Sequence, residues 1–274
     1  MTITELLEHY LKNWNLSNVH KIKETDTGHI YKVDSKYGRV VLKIFTELGV
    51  KDELGGTFFL RATSGNGTVK LYKHDNKAQL MEYLPGENLY RYSKEGKEDE
   101  ATLIFINIIK KIHSSEGIEE RDKLMPLNYL FKLFDRVNPP KELAEIFKKA
   151  KELSERLLST QTDEVLLHGD LHHENVLKNS EGEYVCFDPK GVIGDPSYEL
   201  GTTLKNPWGY PEISQDIEMF KRRAKRFSIE LNLPLDRIIG FAFIHLCLSI
   251  GWAIEDGCEY SHQQKLLLKV VSLL

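Results

Sequence analysis

The side chains best suited to chemistry lie in two neighbouring segments, residues 168–177 (HGDLHHENVL) and residues 184–191 (YVCFDPKG). Strand-like runs on either side of a Ser-Glu-Gly turn predict a hairpin between them. Because a hairpin returns the chain to its start, Asn175 and Asp188 are expected to end on the same side, within reach of one ion. Asp170 lies on the loop just before the hairpin, so three oxygen-bearing side chains converge at its mouth.

An aspartate, an amide five residues later and a second aspartate after a hairpin suit phosphoryl transfer. That reaction needs a carboxylate that orients the attacking hydroxyl, and it needs hard oxygen ligands for Mg²⁺ on the phosphates. The spacing from Asp170 to Asn175 is that of the protein-kinase catalytic loop, and Asp188 then stands where kinases carry a metal-binding aspartate. Two alternatives are a polar turn rich in histidine and aspartate, and a zinc-type site made by the clustered histidines with Asp170.

A phosphate-binding lysine is expected in the N-terminal part of the chain. The run Val-Val-Leu-Lys, ending at Lys43, resembles the V-A-I-K strand that serves this purpose in kinases. A lysine inside the apolar run VVLKIF is interpreted as functional rather than as a surface lysine on a strand. Its carboxylate partner is predicted to be Glu53, with Glu47 and Asp52 as alternatives. The chain lacks the G-x-x-x-x-G-K-[ST] motif, which excludes a P-loop kinase.

Two more segments are expected to bind the nucleotide, which is ATP in such an enzyme. A covering loop is predicted between the first two strands, where Gly28 follows Thr-Asp-Thr. It has one glycine rather than three, so the same residues also fit an ordinary hairpin turn. The hinge residues Glu82, Tyr83 and Leu84 end the N-terminal part, and their backbone N–H and C=O groups are expected to bind adenine.

The elements that position these residues form two parts. A short amphipathic helix and several β-rich runs separated by turns precede the Pro-Gly-Glu sequence that follows Leu84, and helical patterns dominate after it. The sequence therefore predicts an α+β fold, with a small antiparallel nucleotide-binding lobe at residues 1–84 and a larger helical catalytic and acceptor-binding lobe at residues 85–274. The helices predicted outside the chemistry-bearing segments are residues 50–63, 100–114, 127–137 and 140–158, the last beginning at Pro140.

The acceptor of the phosphoryl group is predicted to be small. His172 stands where protein kinases of the Ser/Thr type carry lysine. Only seven residues separate Asp188 from Pro196, where the next helix is predicted to begin with Asp195 as its N-cap. That length leaves no room for an activation segment, and there is no A-P-E motif. No protein substrate is expected.

Composition excludes several other classes of protein. The 274 residues carry 37 basic and 41 acidic side chains, a formal net charge of −4, which argues against a protein that binds nucleic acid through phosphate contacts. Residues 1–84 carry 12 basic and 10 acidic side chains, whereas residues 85–274 carry 25 and 31. Three cysteines without a motif favour a reducing compartment, and no signal peptide is recognised, so a cytoplasmic location is expected. Residues 238–254 are apolar but shorter than a membrane span needs, and they are interpreted as a buried helix.

The sequence HGDLHHENVL resembles the catalytic loop of aminoglycoside phosphotransferases. More narrowly, FDPKGVIGDPSYEL at residues 187–200, followed by Leu-Lys-Asn-Pro at residues 204–207, resembles the aminoglycoside/hydroxyurea antibiotic resistance kinases, which include streptomycin 6-phosphotransferases. Residues 249–257 (SIGWAIEDG) are similar to the C-terminal W-x-x-E-D-G segment of that family. The resemblance implies a protein-kinase-like fold, ATP and Mg²⁺ as cofactors, and phosphorylation of a hydroxyl group.

Roles follow from this resemblance residue by residue. It makes Asp170 the catalytic base, Asn175 and Asp188 the Mg²⁺ ligands, and Lys43 the phosphate clamp. Lys190 stands in the family's D-P-K-G sequence, where its charge would neutralise the transferring phosphoryl group; the alternative is a lysine stem that packs on the loop.

The acceptor site is less defined. Acidic groups in the helical lobe would suit a cationic acceptor such as streptomycin, and the candidate residues are Glu199, Trp252, Glu255 and Asp256. The alternative is that Glu-Asp-Gly closes a helix and Trp252 belongs to the core. Glu199 also departs from the family, whose members often carry aspartate there. Two other functions stay open: a metabolic kinase of a sugar or amino alcohol, and a catalytically silent nucleotide-binding protein.

Overall fold

A computed structural model describes residues 2–63, 65–115 and 121–274. The N-terminal part is a five-stranded antiparallel sheet with one helix before it and one inserted into it. The sheet order is β1-β2-β3-β5-β4. The elements are α1 (Ile3–Asn13), β1 (Ser17–Glu24), β2 (Gly28–Ser35), β3 (Gly38–Phe45), α2 (Glu47–Thr63), β4 (Leu71–His74) and β5 (Ala78–Glu82).

Strand β3 shows how this sheet divides apolar from functional residues. Successive side chains of a strand point to opposite faces, and Val40, Leu42 and Ile44 are fully buried on one of them. They pack there with Leu6 of α1 in a small core. Lys43 therefore points to the other face of the sheet, away from α1.

The rest of the chain is mostly helical and encloses the larger core. Two small sheets accompany the helices, β6-β10-β7 and β8-β9. The elements are α3 (Tyr90–Lys94), α4 (Glu98–His113), β6 (Met125–Pro126), α5 (Leu127–Phe131), α6 (Leu133–Arg136), α7 (Ala144–Ser159), β7 (Val165–Leu167), β8 (Val176–Lys178), β9 (Tyr184–Cys186), β10 (Val192–Gly194), α8 (Leu200–Leu204), α9 (Pro211–Ser214), α10 (Ile217–Leu231), α11 (Leu235–Glu255) and α12 (Ser261–Val270).

Two helix predictions need correction. The helix predicted at residues 127–137 is two short helices, α5 and α6, which meet at Lys132. The helix predicted to begin at Pro140 begins four residues later, because the Pro140 carbonyl accepts the Leu143 N–H at 2.9 Å and closes a turn first. Strands β6 and β10 were not predicted, since each is only two or three residues long.

Helix α11 is the apolar stretch that the sequence interpretation placed in the core. It is long and apolar enough to cross a membrane by composition alone, but most of it is buried inside the protein. It packs against α7, α8 and α12. Its one buried histidine, His245, shares a hydrogen bond of 2.7 Å with the Thr202 hydroxyl of α8, which satisfies that ring nitrogen in the core.

Candidate functional site

The hairpin predicted from the sequence is present and carries the catalytic-loop residues. Val176 of β8 pairs with Cys186 of β9, so the residues that flank this pair lie at the same end of the hairpin. Asn175 precedes β8, and its Nδ2 donates to the Asp170 carbonyl at 2.9 Å. Asp188 follows β9 with a left-handed backbone, φ 58°. The Asn175 side-chain oxygen is thereby left to face the cavity that both residues line.

Two buried side chains hold the backbone on which Asp170 stands. His168 Nε2 donates to the Phe187 carbonyl at 2.9 Å, and its Nδ1 accepts the Asp170 N–H at 3.2 Å. Burial lowers the pKa of His168 to about 4, so the ring is neutral at pH 7. Glu199 accepts the N–H groups of His168 at 2.6 Å and Gly169 at 3.2 Å, and burial raises its pKa to about 7.

This position of Glu199 corrects one sequence prediction. The residue was expected in the acceptor pocket, but its side chain is buried and both carboxylate oxygens already accept backbone N–H groups of the catalytic loop. It is a support for that loop rather than a surface that a substrate can reach. Buried N–H groups need an acceptor, and Glu199 supplies it for these two amides.

Lys43 forms ion pairs on both sides of its ammonium. One is with Glu53 of α2, and the other is with Asp188, at 2.6 Å. Although burial opposes the charge, these two carboxylates raise the pKa of Lys43. Of the three carboxylates considered as its partner, Glu47 and Asp52 are exposed, whereas Glu53 is buried against the lysine.

Close backbone packing sets the position of α2. A Cβ atom on Gly56 would lie 2.1 Å from the Pro189 carbonyl oxygen, and one on Gly191 would lie 2.1 Å from the Gly55 carbonyl oxygen. Glycine is therefore required at these positions, because any larger residue would push the helix and residues 189–191 apart. The helix that carries Glu53 rests directly on the segment that follows Asp188.

A cavity of about 520 Å³ lies between the sheet and the hairpin. Its polar end contains the Lys43–Glu53 pair with Asn175 and Asp188, and its walls are apolar side chains from both parts of the chain. Between the two parts the cavity is lined by Ile30, Val41, Met81, Glu82, Tyr83, Leu84, Leu177 and Phe187. A flat apolar ring fits between such walls with a phosphate chain directed toward the lysine.

The hinge and covering-loop residues differ in how they meet this cavity. Glu82, Tyr83 and Leu84 line it, although the Glu82 N–H is already donated to the Lys70 carbonyl at 2.9 Å. Gly28 does not line the cavity, where Thr25 and Thr27 are found instead. A Cβ on Gly28 would lie 3.1 Å from the Ile44 carbonyl and 3.4 Å from Cε of Lys43, so this glycine makes room for the lysine stem.

Three charged or titratable residues surround the catalytic-loop carboxylates. Burial is the largest single effect on Asp188 and acts to raise its pKa. Lys43, and after it the half-buried Lys190, act in the opposite direction, and the pKa of Asp188 is lowered overall. His172 Nε2 lies 3.8 Å from the Asp170 carboxylate. Lys205, for which the sequence suggested no role, is close enough for Asp170 to act on its charge.

The remaining acceptor candidates belong to the end of α11. Glu255 forms a two-pronged ion pair with Arg136, at 2.7 and 3.1 Å. Asp256 is exposed, and Gly257 adopts a left-handed conformation, φ 66°, that ends the helix. The alternative interpretation of Glu-Asp-Gly as a helix terminus therefore describes these residues better than an acidic pocket. Trp252 is half-buried against the core, its ring 6.2 Å from that of His245.

A buried polar network, absent from the sequence predictions, joins the catalytic loop to the helices. Glu98 of α4 contacts His173 at 2.9 Å and Arg223 of α10 at 3.4 Å. Arg223 in turn donates to the carbonyls of Thr203 at 3.0 Å and Asn206 at 2.7 Å. Glu98 and Arg223 are 125 positions apart in the sequence, and the one local signal is that Arg223 interrupts the apolar face of α10.

Comparison with known proteins identifies relatives over most of the chain. The family model described as aminoglycoside/hydroxyurea antibiotic resistance kinase matches residues 13–257. Streptomycin 6-kinase of Streptomyces griseus is 26% identical over 262 residues, which cover 92% of this chain and 83% of that protein. Streptomycin 3''-kinase of Klebsiella pneumoniae is 26% identical over 253 residues, covering 90% and 92%.

Solved structures with the same fold extend the comparison. Aminoglycoside phosphotransferase APH(4)-Ia, in a ternary complex with ADP and hygromycin B, matches with a TM-score of 0.66 and 12% identity, covering 99% of each chain. Choline kinase LicA of Streptococcus pneumoniae matches with a TM-score of 0.63 and 16% identity, covering 98% of this chain and 97% of that one. At such low identity these two structures establish the protein-kinase-like fold alone.

Proposed function

Because the chain belongs to the aminoglycoside/hydroxyurea antibiotic resistance kinase family, and is thus a kinase that acts on small molecules, we propose that it transfers the γ-phosphoryl group of ATP to a hydroxyl of an aminoglycoside such as streptomycin. The observation that carries the proposal is that Asn175, Asp188 and the Lys43–Glu53 pair line one end of a cavity. Asp170 adjoins this end, because its backbone carbonyl accepts a hydrogen bond from Asn175 Nδ2. The relatives named as streptomycin kinases support this choice of acceptor.

The residues present suit a magnesium-bound nucleotide. Asp188 offers a carboxylate and Asn175 an amide oxygen whose Nδ2 is already engaged, and hard oxygen donors of this kind are those that Mg²⁺ prefers. The bound ion supplies charge neutralisation on the phosphates. Lys43, released in part from Asp188, holds the phosphates, and Glu53 keeps its ammonium in place. Lys190 adds positive charge on the side of the transferring group.

Asp170 is the residue that takes part directly in the chemical step. Its carboxylate orients the acceptor hydroxyl toward the phosphorus and accepts its proton as the new O–P bond forms and the bond to ADP breaks. Buried hydrogen bonds hold the backbone that carries this carboxylate. The His168 ring accepts the Asp170 N–H, and Glu199 accepts the His168 N–H. Catalysis of this kind depends mainly on positioning and electrostatics.

A small acceptor fits the segment that follows Asp188. Residues 192–194 form β10, which pairs with β6 and β7, and Asp195 caps the next turn by accepting the Ser197 N–H at 2.9 Å. The chain therefore enters the helical part without a free segment on which a peptide substrate would dock. The enzyme is expected in the cytoplasm, where ATP is available.

Two other functions are retained as outcomes of the test. One is a metabolic kinase of a sugar or amino alcohol, since the fold, which a choline kinase shares, does not distinguish it from a resistance kinase. A catalytically silent nucleotide-binding protein is disfavoured, since such a protein has no need of Asp170, Asn175, Asp188 and Lys43 together.

The test is incubation with ATP and Mg²⁺ and a panel of streptomycin, hygromycin B, hydroxyurea, choline and ethanolamine, with detection of a one-phosphoryl mass gain. We expect streptomycin to be phosphorylated, and Asp170→Ala to abolish turnover while ATP–Mg²⁺ binding is retained. A product from choline or ethanolamine alone would establish the metabolic kinase. Full turnover by Asp170→Ala would refute the assigned mechanism.

A further inference from the structure

Lys205 lies beside the catalytic loop and has no part in the mechanism described above. It follows α8, is half-buried, and its Nζ donates to the Ser249 hydroxyl of α11. An ammonium has three donors, and Ser249 accepts one of them. No ion pair within 4.0 Å joins Lys205 to a carboxylate among residues 2–63, 65–115 and 121–274. The charge of Asp170 favours the ammonium form of Lys205 and opposes the effect of burial.

The backbone around Lys205 is held rigidly against the catalytic loop. The Thr203 hydroxyl donates to the Leu171 carbonyl at 2.9 Å, one residue after Asp170. Arg223 binds the Thr203 and Asn206 carbonyls, on either side of Lys205. The lysine therefore keeps a fixed position relative to the catalytic carboxylate.

A purely structural role does not account for this lysine. Burial lowers the pKa of Lys205 to about 8, which means that the protein loses free energy by keeping the ammonium charged there. A serine hydroxyl is a weak compensation for a desolvated charge, and an apolar side chain would fill the same space at less cost. The arrangement instead leaves spare hydrogen-bond donors beside Asp170.

The direction from which Lys205 approaches Asp170 indicates what it contacts. The nucleotide cavity is lined from the sheet and the hairpin, and Lys205 is not among its lining residues. It reaches the loop from α8, with Ser249 behind it on α11. Ser249 stands one helical turn before Trp252, which is half-buried. Lys205 therefore stands on the side where the acceptor must present its hydroxyl to Asp170.

We propose that Lys205, anchored by Ser249, is an acceptor-binding residue: its ammonium donates a hydrogen bond to an oxygen of the acceptor beside the hydroxyl that Asp170 orients. This inference rests on the proposed function. It also narrows the orientation of an aminoglycoside. An oxygen-rich edge of the sugar faces Lys205, and the cationic groups of the acceptor point away from it.

The experiment compares Lys205→Met, Ser249→Ala and Lys205→Arg, with Lys225→Met as a control on the exposed face of α10. Steady-state kinetics with streptomycin and ATP are measured at pH 7. A hydrogen bond to a charged group that is lost in Lys205→Met raises the KM for streptomycin about 10- to 100-fold. We expect a smaller rise in Ser249→Ala, partial recovery in Lys205→Arg, and no change in Lys225→Met.

Measurements on the nucleotide side separate this inference from the proposed function. The dissociation constant of ATP–Mg²⁺ without acceptor stays unchanged in Lys205→Met if the lysine contacts the acceptor. Weaker binding of ATP–Mg²⁺, or an unchanged KM for streptomycin, overturns the inference. If the wild type binds ATP–Mg²⁺ but phosphorylates no member of the panel, the proposed function fails instead, and the comparison of nucleotide binding still tests which side Lys205 serves.

Discussion

Two neighbouring arginines of α10 form the same kind of ion pair in opposite surroundings, and they provide a matched test of what burial does. Arg223 pairs with Glu98 at 3.4 Å, and both side chains are 1% exposed. Arg222 pairs with Asp99 at 3.1 Å, and these side chains are 55% and 71% exposed. The perturbation is arginine to methionine at each position.

The expected losses in the free energy of unfolding differ by several kcal/mol between the two variants. Removal of one partner from a buried pair leaves an uncompensated charge, and this costs about 3–5 kcal/mol. In Arg223→Met the carboxylate of Glu98 loses its arginine and keeps the hydrogen bonds to His173 and to the Ser93 hydroxyl. The carbonyls of Thr203 and Asn206 also lose their donor. An exposed pair such as that of Arg222 is worth about 1 kcal/mol or less.

The assay is urea unfolding at pH 7, monitored by far-UV circular dichroism. The free energies of unfolding are compared between variants that have equal m-values. Glu98→Gln and the double variant with Arg223→Met complete a double-mutant cycle. The double variant is expected to be less destabilised than the sum of the single ones, because the second change removes the charge that the first leaves unpaired. Equal costs for Arg222→Met and Arg223→Met, or strict additivity in the cycle, would refute the reasoning.

Two further predictions concern α2 and the catalytic loop. Gly56→Ala places a Cβ against the Pro189 carbonyl, so it should lower the free energy of unfolding by about 1–3 kcal/mol and raise the KM for ATP. The control is Gly240→Ala, where the nearest neighbour of the new Cβ is a flexible leucine side chain. This variant should leave the KM for ATP unchanged. His168, with a pKa lowered from 6.5 to about 4, takes up a proton more readily in the unfolded chain, so its contribution to stability is present above pH 6.5 and is lost as the pH falls toward 4. The advantage in unfolding free energy of the wild type over His168→Gln should therefore shrink by up to about 3 kcal/mol across that window, and an advantage that is constant with pH would contradict the assigned burial.

The parts of the site that were predictable from sequence are those in which local pattern determines position. The hairpin brings Asn175 and Asp188 together because their separation along the chain is short and a turn lies between them. The partner of Lys43 was narrowed to three neighbouring carboxylates, and the register of α2 against the sheet selects Glu53. The family resemblance indicated Asn175, Asp188 and Lys43 but not Glu53.

The acceptor side could not be predicted in the same way. Glu199 was chosen because a carboxylate suits a cationic substrate, but its environment depends on how the turn before α8 packs beneath the catalytic loop. Lys205 was noted only as part of the Leu-Lys-Asn-Pro sequence that resembles the family, and no role was predicted for it. Its burial depends on contacts with α11, more than 40 residues away. Such long-range packing leaves no periodic signal in the sequence.

The glycine-dependent contact between α2 and residues 189–191 has a consequence for control of the enzyme. In protein kinases, activity is controlled by whether the helix that carries the glutamate is in place. Here that helix is pressed backbone to backbone on the segment after Asp188, so displacing it would break the packing of the fold itself. The Lys43–Glu53 pair is complete whenever the chain is folded. Output then follows the amounts of protein and acceptor rather than the position of this helix.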